Sequence, residues 1–224
     1  MQARIKRWLA GPYMTTGLIA IMVVIFLAME LSGGASNVQV LLAFGAKWNP
    51  LIDQGQFWRL ITPTFLHLSV EHILLNMVTL YFLGIQIEGL FGHSRFLIIF
   101  LVSGIGGNLA SFAFNPSAIS AGASTAIFGL FGAFLMLGES FWEYGYIRQM
   151  TQTFLIFIVM NLVFGFFTPG TDIAGHIGGL AAGFLMGYVV GAPKIGPVAF
   201  IKRIFAVIVL ILMMIGLYYY GITL

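Results

Sequence analysis

Residues 172–191 read DIAGHIGGLAAGFLMGYVVG, and this stretch decides the fold. An apolar run of about 20 residues is the length of a membrane-spanning helix. Within it Gly175, Gly179, Gly183, Gly187 and Gly191 recur every four residues. On a helix such a spacing lines one face and lets a neighbouring helix approach closely. His176 stands one residue off that stripe. An ionisable side chain inside a span is costly and by default marks function. The segment therefore points to closely packed membrane helices and supplies the first candidate functional residue.

The rest of the chain agrees. Of 224 residues, 60% are hydrophobic and 8% charged, and the mean hydropathy is +1.01. A soluble domain carries roughly 45–50% apolar and about 25% charged residues. Seven acidic and ten basic side chains are too few to cover a water-soluble surface of this size. The reading is an all-α integral membrane protein in contact with the lipid bilayer. The net charge of +3 comes from scattered residues, so nucleic acid is not an expected partner. The absence of cysteine excludes disulfides, thiolate catalysis and cysteine-ligated metals.

Seven apolar runs are legible, at 13–31, 70–90, 95–114, 120–139, 150–168, 172–191 and 203–222. They are continuous rather than alternating, which favours helices over barrel strands. The first follows Arg4, Lys6 and Arg7. It is too long for the core of a signal peptide, so it reads as a retained helix. With the N-terminus inside, the inner loops hold Arg4, Lys6, Arg7, Arg95, Arg148, Lys194, Lys202 and Arg203, and the outer side only Lys47 and Arg59. That asymmetry sets the N-terminus in the cytoplasm. Seven spans then put the C-terminus outside. The outer loop 32–69 is long and holds Trp48, Pro50, Phe57, Trp58 and Pro63. Its aromatics place it on or partly in the bilayer, and a long loop without obvious structure is often functional, a re-entrant packing element being the bland reading.

Four polar side chains share one depth. Ser124 stands a few residues into the fourth span, His176 a few into the sixth, and His72 and Asn76 in the first two turns of the second. At 1.5 Å rise per residue, all lie roughly 5–12 Å below the outer surface. Singly, each has a bland reading as a packing residue or helix glue. Together their chemistry is complete. A serine is a weak nucleophile until a base takes its proton, and histidine is the base that titrates nearest neutrality. His72 and Asn76, at i and i+4, face the same way and can donate to an oxyanion. Gly122 removes bulk beside the nucleophile, where a substrate backbone must approach. Gly129 and Gly132 offer the fourth span as partner to the glycine stripe, which would bring His176 to Ser124. Asp172, one turn before His176, reads as an N-cap rather than a triad acid.

With these residues in view, the chain resembles the rhomboid intramembrane serine proteases from about Phe57 to Gly191. Trp58-Arg59 matches their loop Trp-Arg. His67, His72 and Asn76 match His…His-x-x-x-Asn, Gly122-Ala123-Ser124 matches Gly-x-Ser, and His176 to Gly183 matches His-x-x-Gly-x-x-x-Gly. The resemblance implies Ser124 as nucleophile and His176 as general base of a dyad. It implies His72, Asn76 and the Ser124 backbone N–H as the oxyanion site. Trp58 and Arg59 would anchor the outer loop, and Glu88 would be structural. Thr125 departs from the usual Gly and is expected to narrow the space beside the nucleophile. The organisation implied is a cytoplasmic tail at 1–12, a six-helix catalytic core at 13–191, and a linker with an added helix at 192–224.

The expected function is cleavage of peptide bonds in or near transmembrane segments of other membrane proteins, without cofactor or metal. The expected location is a bacterial plasma membrane. The rivals are a catalytically inactive rhomboid-like binder and a small transporter. No His-Glu-x-x-His is present for a zinc protease. Asp53 and Asp172 lack the Gly-x-Gly-Asp setting of an aspartyl one.

Overall fold

The computed structural model describes residues 11–223, so Arg4, Lys6 and Arg7 lie outside the described residues. The chain forms α1 (Tyr13–Leu31), α2 (Val38–Phe44), α3 (Asn49–Asp53), α4 (Val70–Phe91), α5 (His93–Phe114), α6 (Ser124–Ser140), α7 (Gly145–Phe167), α8 (Ile173–Val190) and α9 (Phe200–Ile222). Two 3₁₀ turns, Phe57–Leu60 and Thr62–Phe65, lie between α3 and α4. Among the described residues there is no strand, only one isolated bridge. The expected all-α bundle is therefore observed.

Six helices, α1, α4, α5, α7, α8 and α9, are long and apolar enough to cross a membrane. The seventh expected span is shorter than predicted. α6 has 17 residues, about 25 Å of helix, against a hydrocarbon thickness of about 30 Å. It starts at Ser124, not at 120. Two features delay it. Gly122 has φ +144°, which favours glycine. Ser120 exchanges both backbone hydrogen bonds with Lys47, at 3.0 and 3.1 Å. Ser124 is thus the first residue of its helix rather than a residue some way along it.

α6 is the hub of the bundle and packs against α4, α5, α7 and α8. The glycine stripe makes the α6–α8 contact. A Cβ on Gly179 would sit 2.0 Å from the Thr125 carbonyl oxygen, and one on Gly183 would sit 1.9 Å from that of Gly129. No side chain fits there, so backbone touches backbone. Gly132 returns the contact, since its Cβ would lie 2.1 Å from the Leu180 carbonyl oxygen. The expected partnership of Gly129 and Gly132 with the stripe is seen.

The outer loop is more ordered than its composition predicts. Asn37 caps α2 through its side chain, Gly45 ends it at φ +99°, and Pro50 sits in the first turn of α3. Arg59 is buried and donates to the carbonyls of Leu42 and Ala46, each at 2.9 Å, and to Gln56 Oε1 at 2.8 Å. Lys47 is fully buried, and its ammonium donates to the carbonyls of Asn115 at 2.6 Å and Ala118 at 3.3 Å. The two cations counted on the outer side therefore serve the protein's own carbonyls.

Polar contacts also fix the helix ends. Glu88 is buried and accepts from Met14 N at 3.0 Å, Thr15 N at 2.8 Å and Thr15 Oγ1 at 2.6 Å. A carboxylate from α4 thus satisfies free N–H groups in the first turn of α1. His93 completes the contact, with Nδ1 2.5 Å from the carboxylate. At the same end of the bundle, Arg95 donates to the Val190 carbonyl, Arg203 to that of Val189, and Lys194 to that of Gly89. At the opposite end Tyr218 of α9 packs against Phe57 of the outer loop and Phe112 of α5.

Candidate active site

The extended segment before α6 lowers Ser124 into the bundle. The α6–α8 contact then carries His176 to it. His176 Nε2 lies 2.9 Å from Ser124 Oγ, although the residues are 52 apart in sequence. The imidazole stacks on Phe128, with ring centroids 4.4 Å apart and an interplanar angle of 7°. Phe128 is one helical turn beyond Ser124, so serine and stacking ring come from one face of α6. Its signal in the sequence was that i+4 spacing, hidden among 22 phenylalanines.

The other ring nitrogen of His176, Nδ1, is buried and has no hydrogen-bond partner. No carboxylate reaches it. Asp172 instead accepts from Gly175 N at 3.0 Å through Oδ1, as the N-cap of α8. Its second oxygen accepts from Ser120 Oγ at 3.0 Å. Asp172 therefore caps α8 and bonds Ser120, and neither of these hydrogen bonds goes to the imidazole.

His72 closes the site from α4. The Leu68 N–H points at His72 Nδ1, 3.4 Å away. With Nδ1 accepting, the proton sits on Nε2, which faces the nucleophile loop. A Cβ on Gly122 would lie 2.8 Å from His72 Nε2 and 3.6 Å from Ser124 Oγ. Gly122 is thus required both by its φ and by the ring of His72. The ring of His72 borders the space it leaves. Asn76 is buried, and one N–H of its amide bonds the His72 carbonyl at 2.9 Å. Its second N–H remains for another acceptor.

His67 lies behind His72, fully buried, with ring centroids 5.1 Å apart and the rings inclined at 65°, edge to face. Burial pushes its pKa down to about 3, helped by the neighbouring His72, so His67 is neutral and packs as a ring. Trp58 and Arg59 separate. Arg59 pins the loop as described, whereas the Trp58 side chain is 54% exposed. Of the pair, the arginine makes the hydrogen bonds that hold the loop. Thr125 is buried and does not crowd the serine. Its side chain enters the interface of α5 and α8, where Gly107 and Gly175 lack a Cβ: positions 2.6 Å from Thr125 Cβ and 3.1 Å from its Cγ2 are free.

Comparison with known sequences places the chain in a family. The Rhomboid domain family model covers residues 54–193, more than half of the chain. The chain belongs to the rhomboid family. It is 42% identical over 210 residues to Rhomboid protease GluP of Bacillus subtilis, covering 94% of this chain and 41% of that protein. It is 41% identical over 159 residues to RHOMBOID-like protein 4 of Arabidopsis thaliana, covering 70% of this chain and 40% of that one. Rhomboid-like protease 3 of Toxoplasma gondii is 35% identical over 152 residues, covering 66% of this chain and 57% of its own. This rhomboid chain thus spans about half or less of the length of these relatives.

Proposed function

We propose that this rhomboid protein is an intramembrane serine protease acting on transmembrane segments of other membrane proteins. The observation that carries the reading is the 2.9 Å contact between His176 Nε2 and Ser124 Oγ. His176 takes the proton of Ser124 as Oγ attacks the scissile carbonyl. His72 Nε2–H, the free N–H of Asn76 and the Ser124 backbone N–H stabilise the oxyanion. His176 then gives its proton to the leaving amine, and water hydrolyses the acyl-enzyme. Phe128 holds the imidazole plane in place of an acid. A helical peptide bond hides its carbonyl, so the substrate must unwind locally. The active core is residues 13–191, and 192–224 add a linker and a seventh helix.

The test is cleavage of a model transmembrane substrate in liposomes, with products identified by mass. Two complementary fragments are expected. Retention of an intact substrate on the protein would instead favour the inactive binder. His72→Ala and Asn76→Ala should each weaken cleavage by about 10²–10³-fold without stopping it. If both variants cleave at the wild-type rate, the two residues are packing elements.

The reading of orientation is N-terminus cytoplasmic and C-terminus outside, in a bacterial plasma membrane. It is supported by Arg95, Lys194, Lys202 and Arg203 at one end and by Tyr218 beside the outer loop. A reporter fused after Leu224 should read outside. A cytoplasmic signal would contradict this topology.

A further inference from the structure

Ser120 belongs to no expected site, yet it touches three other parts of the fold. Its backbone pairs with Lys47 of the outer loop. Its hydroxyl lies 3.0 Å from Asp172 Oδ2 at the start of α8 and 3.2 Å from Ser111 Oγ of α5. A hydroxyl has one proton. The carboxylate can only accept, so Ser120 donates to Asp172 and Ser111 donates to Ser120. Asp172 Oδ1 then holds Gly175 N, the residue before His176. Four residues beyond Ser120 stands Ser124. Besides the Ser124–His176 contact itself, the nucleophile's segment and the base's helix are joined by the hydrogen bond from Ser120 to Asp172.

We infer that Ser120 and Asp172 form a positioning bridge that holds His176 in register with Ser124. This rests on the proposed dyad. His176 needs such a bridge because no carboxylate holds its Nδ1. The structure substitutes a tie at backbone level, one turn away. The glycine contact fixes how closely α6 and α8 approach, but glycines carry no directional bond to set the sliding of α8 along α6. The hydrogen bond supplies that direction. Lys47 favours the same arrangement. Its buried ammonium holds the turn before Ser120, and the charge of Asp172 partly offsets the burial that lowers its pKa to about 8. Both residues are thus positioning residues and touch no reacting atom.

The two functions of Asp172 can be separated. Asp172→Asn keeps both bonds, because its oxygen caps Gly175 and its amide can donate to Ser120. Asp172→Ser keeps a capping hydroxyl but is too short to reach Ser120. Ser120→Ala breaks the bridge from the other side, and Ser120→Thr keeps the hydroxyl. Each variant would be purified as the full chain, its active fraction titrated with a fluorophosphonate, and cleavage measured per titrated site. Ser120→Ala and Asp172→Ser should lower kcat by about 10- to 10²-fold, the scale of a misplacement near 1 Å, with KM unchanged. Ser120→Thr and Asp172→Asn should stay close to wild type. The double variant Ser120→Ala, Asp172→Ser should be no slower than the slower single one, because both remove one interaction. If Asp172→Ser matches Asp172→Asn in kcat, the aspartate is a cap alone and the bridge is refuted. A loss of KM or of melting temperature with kcat unchanged refutes it too. Ser124→Ala runs alongside: cleavage by that variant would refute the dyad itself, a failure distinct from that of the bridge.

Discussion

Ser124→Ala and His176→Ala should each lower cleavage of a transmembrane substrate by at least about 10⁴-fold. The scale is that of serine proteases that lose a member of the catalytic unit. Ser124→Ala removes the hydroxyl proposed to attack. His176→Ala leaves that atom in place but takes away the acceptor 2.9 Å from it. Because the two act as one unit, the double variant should be no worse than either alone. Stability should change little on Ser124→Ala, since the two helices its hydrogen bond joins are already held backbone to backbone at Gly179 and Gly183. His176→Ala also removes the ring stacked on Phe128, so its melting temperature must be read beside its activity. Near-wild-type cleavage by either folded variant would end the proposed mechanism.

The largest structural effect should come from Gly183→Val. The Cβ alone would lie 1.9 Å from the Gly129 carbonyl oxygen and 2.4 Å from both the carbonyl carbon and the Cα of that residue. All three are backbone atoms within α6, so no rotamer change relieves the clash. α6 and α8 must move apart, which exceeds the usual overpacking cost of about 1–3 kcal/mol. The expected result is loss of folded, monodisperse protein in detergent. Gly216→Ala on α9, which meets nothing within 4 Å, should melt with the wild type. If Gly183→Val also melts with the wild type, the two helices do not pack backbone to backbone.

These two variants mark what was legible in the sequence. The glycine period of four and the outlying His176 are local patterns, and they announced both the packing and the meeting with Ser124. Asp172 was legible as a cap because Pro169-Gly170 ends one element just before it. What escaped depends on distant partners. Lys47 reads as an exposed loop cation, yet it is buried by carbonyls 68 and 71 residues away. Ser120 looked like the start of a span because its neighbours are apolar. Its pairing with Lys47 makes it extended instead, and that displaced the start of α6 to Ser124. Thr125 looked obstructive because glycines far along the chain, Gly107 and Gly175, were not yet known to receive it. The helices of the outer loop were missed because each is shorter than two turns and is held by a distant partner: α2 by Arg59 reaching back to the carbonyls of Leu42 and Ala46, and α3 by Asn49 donating to the Phe112 carbonyl.

Ser124 is proposed to be a nucleophile activated by His176. The most direct measurement of that role is reaction of the purified protein with a fluorophosphonate, followed by intact mass and peptide mapping. The account predicts one adduct per chain, located on Ser124, absent in Ser124→Ala and strongly slowed in His176→Ala. Labelling of another serine, or labelling at Ser124 that proceeds equally fast without His176, would contradict it.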